Sequence, residues 1–526
     1  MMKTRSFLLS TLAVFIFAGC SSEDAREGNI PGGELDGKAY LSLSLQSHTA
    51  TSRAVDTKPG SSGESKAGTV KVLLFDEDDV CLDVVGFDGL TVGNSGGADA
   101  GGAGTPEAAV SEAKLVPEKT KKVFVVINPY ADGNKGWNLT ADAVKGKPWS
   151  VINTAIEAAI ANIATNDNFM MASAGKGAGI EGALTGVTVH KPTAYTTDAI
   201  NQAKTDAQNS PEEISVDRLS AKVELAVKAP FTTKPDGATF AFSGWELSVT
   251  NKSVKLYSEL ITYDNATNGA VYRRDKNYLK SEQPDLTSDM ETNMDAAFNY
   301  LKNIDNDADL IPEVKRDKGT SCYCLENTMD ANAQQLGFTT KVVVKAQYTP
   351  NVLTPNSSYF SWKGNYYTLD QLKEEYTKTG SGGLKTDLPI FLKKAKLVAG
   401  DADQSTIDNF ITNLQASGLT AKTGIIGRFC AVRYYHESVC YYDVLIRHDQ
   451  SVTDKMALGR YGVVRNNWYH LDLQSVSGPG TPWIPDPSDP DNPTPPDTDD
   501  DEADAYLSVK ITINPWTYWT QGVDLH

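Results

Sequence analysis

Short runs of alternating apolar and polar residues recur along the chain and predict β-strands, because successive side chains of a strand point to opposite faces. The clearest run near the start is 39–46, with Leu41, Leu43 and Leu45 on one face. The runs are rich in Val, Thr, Tyr and Ile and are separated by Gly, Asn, Asp and Ser, which predicts a mostly β fold. Further strands are predicted at 69–75, 122–128, 216–227, 243–257, 341–348, 427–435, 439–448 and 462–473.

Apolar residues at helical spacing are confined to a few segments. Residues 151–164 (VINTAIEAAIANIA) show this spacing best and predict an amphipathic helix. A shorter helix is predicted near 369–376. The Ser-Pro-Glu-Glu sequence at 210–213 interrupts the pattern and indicates a boundary between two domains.

The last predicted strand lies apart from the others in the sequence. Its apolar residues alternate with polar ones, and they are Leu507, Val509, Ile511 and Ile513. The preceding segment, 479–504, contains eight prolines and many Asp residues. Such a composition is typical of an extended, stiff spacer, which at ~3.1 Å per residue would reach on the order of 80 Å. The strand is therefore expected to leave its own domain.

The two ends of the chain share a short sequence. Ala-Tyr-Leu-Ser occurs at 39–42 and again at 505–508, and each copy is followed by apolar residues of the same parity. Register in a sheet is fixed by the face that is apolar. The two segments are therefore expected to fit the same position in a sheet.

The N-terminus has the features of an export signal. Lys3 and Arg5 precede an apolar run at 7–18, which is too short to span a bilayer. The sequence Phe-Ala-Gly-Cys that ends at Cys20 is similar to a bacterial lipobox, whose cysteine is acylated when the signal is removed. An ordinary secretory signal is the alternative, and the protein is exported in either case.

Composition narrows the classes of function. The formal net charge is −18, which argues against nucleic-acid binding because phosphate contacts need clustered Lys and Arg. Apolar residues make up 40% of the chain, enough for a globular core. Five cysteines follow Cys20, so they cannot all pair within the chain.

No motif predicts an enzyme, a cofactor or a metal site. The Gly-rich loop at 175–182 lacks the Gly-Lys-Ser/Thr ending of a phosphate-binding loop. Cys322 and Cys324 are too closely spaced for the usual zinc pair. A Gly-X-Ser-X-Gly nucleophile motif is absent from the sequence.

Arg53 is a predicted proteolytic site. It lies among small and polar residues in a loop at 47–68, where an arginine-specific protease could cut before Ala54. Cleavage there would detach strand 39–46 and leave an apolar groove with unpaired backbone groups. The C-terminal strand of another copy could fill the groove, and such head-to-tail joints propagate into a filament. Cleavage at Arg26, the alternative, would leave the groove blocked.

The sequence resembles a known family. The similarity is closest in VVRNNWYHLDLQSVSGPGTPWIPDPSDPDNP (463–493), in INPWTYWTQGVDL (513–525) and in the lipobox, first strand and Arg53. These stretches resemble the type V fimbrillins of Bacteroidales, in particular the major shaft subunits of short (minor) fimbriae.

The resemblance implies a fold, a localisation and a set of partners. The fold would be mostly β, with two transthyretin-like β-sandwich domains, a few short helices and a C-terminal donor strand. The precursor would be an outer-membrane lipoprotein acylated at Cys20 and cleaved between Arg53 and Ala54 by an Arg-specific surface protease. The mature protein would lie in a cell-surface fimbrium with its own copies and with accessory tip and anchor fimbrillins.

The resemblance also assigns the two strands. Strand 39–46, with Leu41, Leu43 and Leu45, would be the one displaced. Residues 505–516 would be the donor strand, with Trp516 as an additional anchor beyond its four alternating apolar residues.

The resulting layout has six parts: signal peptide 1–19, propeptide 20–53, N-terminal domain 54–212, C-terminal domain 213–478, linker 479–504 and donor strand 505–526. The predicted function is that of a structural pilus subunit that supports surface adhesion. Two alternatives remain open. One is an anchored surface lipoprotein that binds glycan or a host ligand through its aromatic-rich second domain, and the other is an accessory or anchor fimbrial subunit.

Overall fold

The fold is mostly β, which confirms the predicted class. The computed structural model describes residues 35–47, 58–59, 61–94, 109–132, 135–175, 182–263, 270–303, 314–378, 382–449, 452–502 and 507–517. None of the helices in these ranges is long and apolar enough to cross a membrane.

The N-terminal part contains sixteen short strands and four short helices among its described residues. The strands are β1 Lys38–Leu41, β2 Leu43–Ser47, β3 Lys58–Pro59, β4 Val70–Phe75, β5 Cys81–Phe87, β6 Val92–Asn94, β7 Lys114–Pro117, β8 Lys122–Ile127, β9 Ala131–Asp132, β10 Lys135–Gly136, β11 Ile156–Glu157, β12 Ala164–Thr165, β13 Asn168–Phe169, β14 Met171–Ser173, β15 Thr185–Gly186 and β16 Glu212–Arg218. The helices are α1 Ala141–Val144, α2 Trp149–Ile152, α3 Ile160–Ile163 and α4 Thr197–Asn209.

One eight-stranded sheet organises this part of the molecule. Its strand order is β5-β4-β8-β14-β16-β2-β6, and β15 pairs with β8 beside that path. One face encloses an apolar core built from β2, β4, β8 and β16, together with Val116 of β7. The opposite face packs against the region of α1–α3 and against segments of the C-terminal part such as Leu256 and Leu325.

The C-terminal part has fifteen strands and five α-helices among its described residues. The strands are β17 Ser220–Thr233, β18 Thr239–Ser248, β19 Thr250–Asn251, β20 Ser253–Val254, β21 Glu259–Tyr263, β22 Ala270–Arg274, β23 Phe298–Asn299, β24 Ser321–Leu325, β25 Lys341–Thr349, β26 Tyr359–Trp362, β27 Asn365–Tyr367, β28 Val432–Tyr435, β29 Val439–Leu445, β30 Asn467–Val476 and β31 Leu507–Thr517. The helices are α5 Met290–Ala297, α6 Leu369–Thr377, α7 Gly382–Lys394, α8 Gln404–Asn413 and α9 Ala421–Ile426.

Two sheets face each other across the main C-terminal core. One has the order β24-β17-β30-β31-β3, and the other has the order β18-β25-β29. Their inward side chains, among them Trp245, Tyr348 and Leu471, are fully or almost fully buried and form one apolar cluster. A separate cluster lies beside the sandwich, where α6–α8 pack on the sheet β27-β26-β28.

Three sequence-based expectations differ from the structure. Residues 151–164 do not form one helix, because β11 pairs with β20 and β12 pairs with β13, leaving only single turns at α2 and α3. The boundary between the two parts falls at Leu219 rather than at 212/213, since β16 belongs to the N-terminal sheet. The third difference concerns the Pro/Asp-rich segment, which packs on the C-terminal part.

Candidate functional site

The N-terminal strand occupies an internal position in its sheet. β2 runs parallel to β16 on one side, from Leu43 opposite Glu212 to Ser47 opposite Val216, and parallel to β6 on the other. β1 continues the same stretch and pairs antiparallel with β7. The backbone N–H of Leu43 also donates to the Ser111 hydroxyl at 2.9 Å. Removing this stretch would therefore unpair strands on both sides.

The side chains of this strand are buried in the core. Leu43 and Leu45 are 0% exposed and Leu41 is 1% exposed, in the same cluster as Val72, Val125 and other core residues of the sheet. Full burial of a leucine side chain contributes about 1.5–3 kcal/mol. The three leucines predicted to lie on one inward face do so, and together they account for a substantial part of the core.

The outer face of the strand is also covered, which the alternating pattern did not predict. Tyr40 packs against Ile200, Ala203 and Ala207 of α4. The hydroxyl of Ser42 is buried and has no hydrogen-bond partner among the described residues. The strand is therefore enclosed on both faces, at the cost of one buried unpaired hydroxyl.

The wall of this position is fixed to the C-terminal part by buried polar contacts. Asp217, near the end of β16, forms an ion pair with Arg273. Arg218 is completely buried, and its guanidinium donates to the Glu64 carbonyl oxygen at 2.8 Å and to the Asn466 side-chain oxygen at 3.1 Å. These contacts fix the end of β16 independently of β2.

Glu64 anchors the segment that follows the predicted cleavage site. Its carboxylate accepts hydrogen bonds from Lys222 at 2.8 Å and from the Tyr323 hydroxyl at 2.5 Å. Burial opposes ionisation of Glu64, but these two donors outweigh burial and lower the pKa of the carboxyl. No sequence motif marks this anchor, because its partners lie more than 150 residues away along the chain.

The C-terminal strand lies on the sheet of its own chain. β31 pairs antiparallel with β30, so that Leu507, Val509 and Ile511 lie opposite Val476, Leu473 and Leu471 in register. The predicted alternation is observed: Leu507 and Ile511 are buried, and Val509 packs against the same core. Among the described residues, β31 also pairs in parallel with the two residues of β3, at Trp516 and Thr517.

The Pro/Asp-rich segment is not a free spacer over 479–502. Trp483 and Ile484 are buried, and the backbone N–H of Gly337 donates to the Pro496 carbonyl oxygen at 2.8 Å. A side chain at Gly337 would approach Pro496 within 3 Å, so glycine permits this contact. Ion pairs from Arg428 to Asp489 and from Arg460 to Asp501 also hold the segment. The prediction of an extended spacer is therefore wrong for these residues, because specific partners compensate for the low apolar content.

One buried acid in this segment is sensitive to pH. Asp500 is 1% exposed and its carboxyl is hydrogen-bonded to the Thr339 hydroxyl. Burial raises the pKa of Asp500 to about 8, and the neighbouring carboxylate of Asp501 acts in the same direction. Asp500 is therefore largely protonated at neutral pH.

The structure describes the remaining predicted site residues only in part. Cys20, Arg53 and Ala54 fall outside the described residues. For Ile513 and Trp516 the backbone is part of β31, opposite Tyr469 and Lys58 respectively, and only these backbone positions are described.

The cysteines are free, and no metal centre forms in the described part of the chain. Cys322 and Cys324 lie on β24, and Cys440 is buried in the same core. Over the described ranges, no group of three or more His, Cys, Asp or Glu side chains is arranged to hold a metal ion.

The C-terminal stretch of the chain matches a known family model. Residues 433–522 match the family model "Major fimbrial subunit protein type IV, Fimbrillin, C-terminal". This stretch includes β29, β30, the Pro/Asp-rich segment and β31. No curated protein matches the chain.

Several solved structures align with most of the chain. A putative cell adhesion protein from Parabacteroides distasonis is 13% identical with a TM-score of 0.41, and the alignment covers 92% of this chain and 98% of that one. A fimbrilin from Porphyromonas gingivalis is 14% identical with a TM-score of 0.36, covering 92% and 99%. A tip fimbrial protein from the same organism is 11% identical with a TM-score of 0.32, covering 91% and 100%.

These TM-scores are below 0.5, so the assignment relies on the family match. That match falls on the stretch in which the sequence resemblance is closest, 463–493 and the C-terminal strand. The match confirms the resemblance to the fimbrillins over this C-terminal stretch of the chain.

Proposed function

We propose that this protein is the shaft subunit of a fimbrium and polymerises by exchange of β-strands between copies. The precursor is exported as a lipoprotein acylated at Cys20 and is anchored in the outer membrane. An Arg-specific surface protease cuts between Arg53 and Ala54. Strand 38–47 then leaves, and the C-terminal strand of a second copy takes its place.

The observation that carries this proposal is the position of β2. It is an internal strand with fully buried leucines, yet it precedes Arg53 and is joined to the rest of the chain only through the segment that contains Arg53. A single cut would thus turn a core strand into a separable one. The vacated position would expose apolar side chains such as Ile214 and Val216 and the open edges of β16 and β6. Such a surface favours capture of another strand.

Exchange requires the C-terminal strand to leave its own sheet. On the sheet of their own chain, Leu507 and Ile511 retain 9% and 7% exposure. Among the described residues, β30 is the one full-length neighbour of β31 there. In the vacated position, the corresponding leucines are 0–1% exposed and the strand has neighbours on both sides. The difference in burial and pairing favours transfer once the position is empty. The segment 479–502 would have to detach in part, since it is packed on the C-terminal part.

The experiment compares four forms of the protein on cells that carry the surface protease. Arg53→Ala should leave a lipid-anchored precursor and abolish fibres, whereas Arg26→Ala serves as the matched control and should leave fibres intact. N-terminal sequencing of surface fibres should give Ala54 first. Deletion of 507–526 should give a processed protein that fails to polymerise. Fibres formed by the truncated protein, or mature protein that starts at Cys20, would overturn the proposal.

A second candidate function is ligand binding by an anchored protein. It is favoured by a cavity of about 520 Å³ lined by Phe429, Tyr441 and Trp483 and by prolines of the 479–502 segment. Aromatic and polar linings of this size are typical of small-ligand sites. Under this alternative, the Arg53→Ala protein would retain full adhesion to host surfaces while remaining lipid-anchored. Under strand exchange, adhesion that depends on fibres would be lost.

A further inference from the structure

We propose that the incoming strand of the second copy adopts one register, with 505–513 replacing 39–47 residue for residue and running parallel to β16. In this register Lys510 of the incoming strand meets Glu213 of the receiving chain. The inference rests on the proposed strand exchange and specifies how the two copies recognise each other.

The shared sequence lies where the position is most restrictive. Ala39, Leu41 and Ser42 are at most 1% exposed and Tyr40 fits under α4, and these four residues recur as 505–508. At Ala39 there is no free surface left for a larger side chain. The following inward positions, Leu43 and Leu45, receive Val509 and Ile511, which are apolar and of similar size. The identity between the two ends is therefore concentrated at the positions where a mismatch would be least tolerated.

Lys510 is the residue that distinguishes the incoming strand from the original one. It takes the position of Ser44, which is 5% exposed on the outer face. Ser44 lies directly opposite Glu213 in the parallel pair formed by β2 and β16. Glu213 is exposed, and no ion pair or hydrogen bond joins its carboxylate to another described residue. A lysine at this largely buried position would extend its stem out from between its neighbours and place its ammonium group beside the exposed Glu213 carboxylate.

Lys510 also lies opposite a carboxylate when β31 is docked on the sheet of its own chain. On its own sheet, Lys510 is exposed and lies opposite Asp472 of β30. The strand thus faces a carboxylate both before and after the transfer. The charge is therefore never left opposite an apolar residue.

Other registers lose these contacts. A shift of one residue would turn Lys510 into the core, where an unpaired charge is strongly unfavourable. A shift of two residues keeps the apolar face inward but places Lys510 opposite Ser215 or Pro211. Only the proposed register combines an apolar inward face with an opposite charge.

The test uses engineered disulfides between two copies in assembled fibres. Copies with Glu213→Cys are co-assembled with copies that carry Ser508→Cys, Lys510→Cys or Thr512→Cys. Directly opposite residues on neighbouring strands have Cα atoms about 4.8 Å apart, within disulfide range, whereas a two-residue offset gives about 8 Å. We expect the Lys510→Cys copies to cross-link efficiently on oxidation and the other two to cross-link at least tenfold less. Wild-type and single-cysteine fibres control for the five native cysteines.

The outcomes separate the register from the exchange itself. Preferential linkage through residue 508 or 512 would overturn the register and leave strand exchange intact. Fibres that assemble without linkage at any of the three residues would overturn both, since the strand would then not lie beside β16.

A charge-reversal cycle tests the ion pair without cysteines. Lys510→Glu and Glu213→Lys should each slow assembly about two- to fivefold at low salt, as for a partly exposed ion pair, and combining them in one chain should restore the rate. Glu374→Lys, the same charge change on exposed α6, should have no effect. Failure of the double variant to recover would contradict the proposed contact.

Discussion

The two strands that begin with Ala-Tyr-Leu-Ser have different surroundings. β2 lies inside the eight-stranded sheet, and β1 pairs with β7; the apolar core covers one face of this stretch, and α4 covers the other face at β1. Among the described residues, β30 is the neighbour of β31 for most of its length, and the outward residues Ser508 and Lys510 are exposed. The same sequence is therefore held tightly at one end of the molecule and loosely at the other. The loosely held copy is the one that the proposed exchange would move.

The difference also explains why proteolysis is required in the proposed mechanism. Spontaneous release of β1 and β2 would expose Leu41, Leu43 and Leu45, which are at most 1% exposed, whereas Leu507 and Ile511 of β31 already retain 9% and 7% exposure. Without a cut, the incoming strand would have to compete with an occupant that is part of the same chain. A strand that is part of the same chain has a high effective concentration at its position in the sheet. Cleavage removes this advantage, because the detached strand is no longer tethered beside the position.

The largest effect is expected when a buried side chain of the tightly held strand is shortened. Leu45→Ala in the uncleaved precursor should lower the free energy of unfolding by about 2–5 kcal/mol, since it removes a fully buried side chain from the core. Urea denaturation measures this effect. Gln46→Ala, at the neighbouring half-buried position, is the control and should change little. A loss below about 1 kcal/mol for Leu45→Ala would contradict a core role for the strand.

A smaller and more local effect is expected for the loosely held strand. Ile511→Ala should weaken docking of β31 by about 1–3 kcal/mol, because the side chain is buried but the strand has a single full-length neighbour. Hydrogen exchange should show lost protection in 507–517, while β4 and β8 keep theirs. Ser508→Ala, at an exposed position of the same strand, is the control. Global destabilisation of the same size would contradict independent release of the strand.

The docking of the Pro/Asp-rich segment should depend on pH through Asp500. The pKa of this buried carboxyl is raised to about 8, above the usual value near 3.8, so the folded state retains the proton longer than the released segment. The contribution of Asp500 to docking is therefore largest at low pH and is lost as pH rises from about 4 to about 8.

Substitution separates this acid from the other titrating groups. Asp500→Asn keeps a neutral polar group and should strengthen docking at pH 8.5, on the order of a kcal/mol or more, and should flatten the pH dependence. Hydrogen exchange over 479–502 measures how strongly the segment is docked at each pH. Asp499→Asn, at an exposed neighbouring position, is the control. An unchanged pH profile in Asp500→Asn would assign the dependence to another group.

The smallest effect is expected when the serines of the two Ala-Tyr-Leu-Ser copies are replaced by alanine and compared. Ser42→Ala should raise the stability of the precursor by up to about 1 kcal/mol, because the buried hydroxyl of Ser42 lacks a hydrogen-bond partner among the described residues. Ser508→Ala should be neutral within about 0.5 kcal/mol, because Ser508 is exposed. Thermal denaturation of both variants provides the comparison. A destabilised Ser42→Ala protein would indicate that the hydroxyl is hydrogen-bonded after all.

The alternating strands were predictable because their pattern follows directly from the pleat. Leu41, Leu43 and Leu45 lie inward as predicted, and so do Leu507 and Ile511. Period-two alternation identifies the inward face of a strand whichever sheet it joins. It does not specify the partner, and the sequence alone therefore did not place β31 on β30.

The errors arose where tertiary contacts override local composition. The helical pattern at 151–164 is broken because Ile156 pairs with Val254 of the distant strand β20 and Ala164 pairs with Phe169 in a local hairpin. Helix α4 was missed because two of its three buried residues are alanines, which give little apolar contrast. The Pro/Asp-rich segment looked unable to pack, yet Trp483, Ile484 and a few ion pairs fix it to the surface.

The sequence by itself determined the mostly β class, the inward faces of the two end strands and the repeat that relates them, because these depend on side-chain order along a strand. The tertiary structure decided which neighbours each strand has, how completely it is buried, and where Lys510 and Glu213 lie. Those properties depend on residues that are hundreds of positions apart and are brought together only when the sheets and the core have formed.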